Sequence, residues 1–170
     1  MKLLALFAVV GLIVSALLHL VTFTGVDCSG FSALIFPLGA GVFVVWIPTV
    51  FASKNLQSDK QKDFWKVALA RFPKWLPKVL GVLAAYMIFN FIFTIVVLKH
   101  GGGPRIVNGE KILQSHGQFI KKLTDEEYVA QKGYDLRIVT GHTMMFYCAA
   151  ALVLSARARQ AKSRKLKAEN

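Results

Sequence analysis

The chain reads as an all-α membrane protein. Four transmembrane helices form a bundle, with a small extracytoplasmic β-hairpin and helix cap on one side and a cytoplasmic amphipathic helix on the other. Two observations predict this class. Residues 3–23, 31–52, 79–98 and 138–156 are apolar runs, each close to the ~20 residues a helix needs to cross a hydrocarbon core. The connecting segments carry unequal charge, with seven Lys/Arg in residues 53–78 and six more in residues 157–170. Cationic loops stay on the cytoplasmic side, so both termini and residues 53–78 are expected inside, and residues 24–30 and 99–136 outside. A composition that is 55% hydrophobic suits a polytopic membrane protein with short loops better than a soluble domain.

The net charge of +12 invites a nucleic-acid reading, which its distribution opposes. Lys2 and the two basic segments hold 14 cations against Asp59, Asp63 and Glu169, while the remaining seven basic and six acidic residues nearly cancel. Cations concentrated beside helix ends match topology and an anionic inner leaflet, and no nucleic-acid motif accompanies them. The expected partners are therefore the lipid bilayer with its anionic inner leaflet, and other membrane subunits or further copies of the chain. The plasma (inner) membrane is the expected location.

The first run resembles a signal peptide, with Lys2, an apolar core and Val14-Ser15-Ala16 as a possible cleavage site. Its apolar character continues to Phe23, which favours a retained helix. Pro37 and Pro48 in the second run each remove a backbone donor and should bend or break it. Small residues one turn apart at Gly11/Ser15, Gly81/Ala85 and Ala151/Ser155, together with Gly39 and Gly41, are candidates for close helix approach in lipid. Tyr86, Asn90 and Thr94 recur every four residues in the third run and so share a face. An amide at this depth should turn inward, and an interhelical hydrogen bond from Asn90 is expected; a polar ligand path is the alternative.

Residues 59–72 project as an amphipathic helix in the headgroup layer. Phe64, Trp65 and Phe72 would enter the lipid, and Lys60, Lys62 and Lys66 would meet anionic headgroups. In residues 99–136, Asn108-Gly109 between two short apolar-alternating segments is a strong hairpin signal. Residues 118–123 are a candidate third strand. Thr124 with Glu127 forms a capping box, starting a helix that should run through Gly133, with a bend there, into the fourth membrane helix.

His19, His100, His116 and His142 all map to the outer half. Metal ligation, with Asp27 or Cys28 assisting, or haem ligation by His19 and His142, is the chemistry these residue types would permit. No pair has ligand spacing on one helix. Cys28 and Cys148 lie at different depths, beyond disulfide reach, and are expected as free thiols. The apolar runs hold no Asp, Glu, Lys or Arg, which argues against an ion-coupled transporter, and no nucleophile or phosphate-binding motif is present. The expected function is therefore non-enzymatic: a membrane interaction or accessory protein. The alternatives are a metal- or haem-binding, redox-linked membrane protein using the outer histidines, and an immunity protein that recognises its partner through the cap.

Overall fold

The computed structural model describes residues 1–54, 69, 72–99 and 102–169. It is mostly helical, with four helices long and apolar enough to cross a membrane and one three-stranded sheet. The order is α1 (Lys2–Val21), a 3-10 turn (Ser29–Phe31), α2 (Ser32–Lys54), α3 (Leu76–Phe93), β1 (Gly103–Val107), β2 (Glu110–Ser115), β3 (Gln118–Lys122) and α4 (Asp125–Glu169). A π-helical turn, Thr94–Leu98, extends α3. The segment expected to be amphipathic, with Lys60, Lys62, Phe64, Trp65 and Lys66, lies outside the described residues. Phe72, at its end, sits half-buried, with the Arg159 guanidinium 4.7 Å from its ring centre.

Three expectations need correction. The fourth apolar run continues the helix that starts at Asp125, as expected, but its bounds of 138–156 widen to a single 45-residue helix. Gly133 does not interrupt it. The basic segment after Ala156 continues it, because Ala, Arg, Lys, Gln and Glu are strong helix formers. Of the bend or break expected at Pro37 and Pro48, the break does not occur: α2 runs through both, since each removes one N–H while the remaining turns keep theirs. The Gly81/Ala85 pair makes no close helix approach: both residues are exposed, and a Cβ at Gly81 would meet nothing within 4 Å.

α4 is the hub. It packs along α1, then α2, and only lightly on α3, whereas α1 and α2 touch each other little. The inner stripe of α1 is Ala5, Ala8, Gly11, Ser15, Leu18 and His19, spaced three or four apart as one helix face requires. Small residues there admit Tyr147 of α4, which is 1% exposed. A Cβ on Gly11 would sit 2.5 Å from the Tyr147 ring, and one on Gly41 would collide with the Tyr147 hydroxyl. That hydroxyl donates to the Leu38 carbonyl at 2.8 Å, so one side chain pins α1, α2 and α4 together.

The sheet is antiparallel in the order β1-β2-β3. Asn108 (φ 51°) and Gly109 (φ 81°) form the first turn, and His116 (φ 50°) and Gly117 (φ 83°) the second. Both pairs have positive φ at both central positions, the primed-turn geometry that suits strand twist. His116-Gly117 is thus a second hairpin turn. The capping box forms as expected: Thr124 N–H donates to Glu127 Oε2 at 3.0 Å, and Glu127 N–H donates to Thr124 Oγ1 at 3.2 Å. Ion pairs Lys111–Asp125 (2.9 Å), Lys121–Glu127 (2.6 Å) and Lys122–Glu110 (2.6 Å) join the strands to one another and to the start of α4.

Candidate functional site

α1 and α4 run antiparallel, and their facing polar residues meet as a ladder. Thr143 Oγ1 donates to Ser15 Oγ at 2.9 Å. One turn on, His19 Nδ1 lies 3.0 Å from Thr140 Oγ1. One turn further, Arg137 donates through Nε to Thr22 Oγ1 at 3.1 Å and through Nη2 to the Thr22 carbonyl at 2.6 Å. In each case residues three or four apart on one helix meet their counterparts on the other, so helical periodicity alone builds the column.

His19 is the junction, because α3 also reaches it: the Tyr86 hydroxyl is 2.7 Å from His19 Nε2. The Thr140 hydroxyl donates its proton to the Leu136 carbonyl at 2.7 Å and therefore accepts from His19 Nδ1–H. That leaves Nε2 to accept from Tyr86 O–H. A neutral imidazole satisfies the set, with donor and acceptor roles assigned from the network. Buried polar groups so paired specify one arrangement of three helices.

Arg137 closes the column near the sheet. Its guanidinium lies 3.9 Å from the Phe23 ring centre, a cation–π distance. Sequence reading placed Arg137 just outside the fourth apolar run and gave it no role. The signal was present, since Arg137, Thr140 and Thr143 fall three apart on one face. Beside it, Cys28 is 3% exposed and its thiol contacts the Val26 carbonyl at 3.3 Å. Burial pushes that thiol up, with Asp27 adding to the shift and Arg137 opposing it, so it is not an activated nucleophile.

α3 is held to α4 at the same end. Lys99 pairs with Asp135, and Gln131 Nε2 donates to the Leu98 carbonyl at 3.1 Å. The face that carries Tyr86, Asn90 and Thr94 does turn toward α1 and α4, but the three behave differently. Tyr86 bonds His19. Thr94 Oγ1 is fully buried with no hydrogen-bond partner among the described residues. Asn90 is 6% exposed and packs on Gly141, where a Cβ would stand 3.2 Å from Asn90 Nδ2. Its expected interhelical hydrogen bond is not formed within the described structure, because Gly141 offers the amide space and no side-chain partner.

The four histidines fall in different surroundings. His19 is engaged at both nitrogens. His142 Nδ1 donates to the Ile138 carbonyl at 2.8 Å, and its ring stands edge-on to Phe91. His116 sits exposed in the second hairpin turn, 3.0 Å from Ser115 Oγ. His100 lies outside the described residues. Among the described residues no three His, Cys, Asp or Glu side chains gather as metal ligands would, and Cys28 and Cys148 are free thiols. Comparison of the chain with family models, curated proteins and solved structures finds no match.

Proposed function

We propose that this chain is an integral membrane interaction or accessory protein, a subunit of a larger membrane complex or an oligomer, with no catalysis of its own. Its termini face the cytoplasm and its sheet faces the outside of the plasma membrane. The observation that carries the reading is the cap. Two primed turns, a capping box and three ion pairs make it a rigid element, yet it leaves Ile106, Val107, Phe119 and Ile120 exposed. Exposed apolar side chains on both outer strands of a small polar-rimmed element outside the lipid favour a protein contact. The ladder around His19 supports the same reading, since every hydrogen bond in it serves helix placement.

The experiment is purification from native membranes of the unaltered chain and of an Ile106→Ser/Phe119→Ser double variant. These positions are 58% and 60% exposed, so each substitution should change stability by no more than about 0.5 kcal/mol. A companion protein, or a second copy, should co-elute with the unaltered chain and be lost from the variant while its helical circular dichroism is retained. A monodisperse monomer in both preparations, or equal recovery of the companion, would overturn the proposal.

A further inference from the structure

Between α3 and α4 runs a groove that the light packing of these helices leaves open. At one end it is bounded by Trp46, Leu80, Leu83 and Ala149. Met87 and Met145 continue it to a second compartment that contains Asn90 and His142. From Leu80 to Ile92 it follows about 18 Å of helix, at 1.5 Å per residue. No charged side chain lines either compartment among the described residues, so an occupant must be neutral overall.

Two polar groups set the head of the groove. Asn90 is more than nine-tenths buried, and its amide has no hydrogen-bond partner among the described residues. His142 commits Nδ1–H to the Ile138 carbonyl, which leaves Nε2 as an acceptor with no partner among the described residues. An occupant must therefore supply a donor to Nε2 and an acceptor for Asn90 Nδ2–H, with an apolar body along the two methionines. A carboxylic acid carries both functions on one carbon, and a single acyl chain matches a groove that is apolar along the rest of its length.

We infer that the α3–α4 groove binds a single-chain fatty acid, its O–H donating to His142 Nε2, its carbonyl accepting from Asn90 Nδ2, and its chain lying toward Trp46. The ligand enters from the bilayer, so this rests on the membrane reading but not on the cap as an interface.

The test uses full-length protein in detergent with Trp65→Phe and Trp75→Phe, leaving Trp46 as the reporter. A long-chain fatty acid brominated along its chain should quench Trp46 saturably. Its methyl ester lacks the donor and should bind about tenfold more weakly. Asn90→Leu and His142→Phe should each weaken the acid by about tenfold, and Ala149→Leu, which fills the chain path, should abolish saturable quenching. Equal quenching by acid and ester would overturn the inference, as would equal quenching by brominated phosphatidylcholine, which would mean that bulk lipid fills the groove. The acid–ester comparison needs no change in the groove and stands if a groove variant fails to fold.

Discussion

Arg137 donates two hydrogen bonds to Thr22 and lies over the Phe23 ring, so it ties the end of α1 to α4. Hydrogen bonds to a charged group contribute roughly 1.5–3 kcal/mol each when their loss leaves a buried partner unpaired. Arg137→Met should therefore lower the thermal midpoint clearly. Arg137→Lys should recover only part of the loss, because an ammonium cannot reach both Thr22 oxygens as a planar fork does. Thermal unfolding of the three proteins in one detergent checks this, and equal midpoints would refute it. The Tyr147 site should respond to a single methyl. Gly11→Ala places a carbon against the ring, and overpacking of this kind costs about 1–3 kcal/mol; Ala at exposed Gly81, where nothing lies within 4 Å, should be neutral or stabilising. Asn90→Leu should hold or raise stability, since the amide it removes has no hydrogen bond to lose. A midpoint lowered by Asn90→Leu would show that the amide is bonded after all. At this scale the sequence showed which residues are small or polar, but not which pairs meet. Gly11 and Gly81 look alike as motifs, and only the position of Tyr147 distinguishes them.

The cap is the element whose behaviour was most legible in advance. Asn108-Gly109 requires positive φ at two successive residues, and Thr124 with Glu127 satisfies orphan amides at a helix start; both requirements act within four residues. Thr124→Ala should cost about 1 kcal/mol of local stability, read as faster amide exchange in β3 and in the first turn of α4. Acid should act in the same direction. The Lys121 ammonium, and then the Thr124 amide, hold the Glu127 carboxyl below its ordinary value. A carboxyl depressed in the folded state contributes stability that is present in full above its unfolded value and lost as pH falls through its folded one. Amide protection in the cap should therefore decline on acidification through the carboxylate range. Protection that is flat or rising there would contradict the assignment. The third strand and the second turn were less clear from sequence, because His116 carries a positive φ that imidazole side chains adopt only occasionally.

For the whole molecule, the testable statement is topology. In a chain with Cys28→Ser and Cys148→Ser, single cysteines introduced at Ser58 and Ser163 should react with an impermeant reagent only from the cytoplasmic face, and one at Ser115 only from outside. Reaction of Ser115→Cys and Ser163→Cys from one face would break the four-crossing arrangement. The 45-residue α4 gives that test a physical basis, since one continuous helix carries the capped sheet end at its start and the basic segment at its end.

By itself the amino-acid sequence determined the four apolar spans, the charge asymmetry, the first hairpin turn and the capping box. Each of these depends on hydrophobic run length, on φ at two residues or on hydrogen bonds within one turn, and so needs no distant partner. Only the tertiary structure decided that α4 is the hub, that His19 joins three helices, that Arg137 closes the seam and that Asn90 faces a groove rather than a bonding partner. The reason is the solvent these helices are built for. Apolar surface gains nothing by meeting other apolar surface in lipid, so hydrophobicity cannot choose the contacts. Steric fit and a few polar pairs choose them instead, and both depend on residues far apart in the chain, as Ser15 and Thr143 or His19 and Tyr86 are.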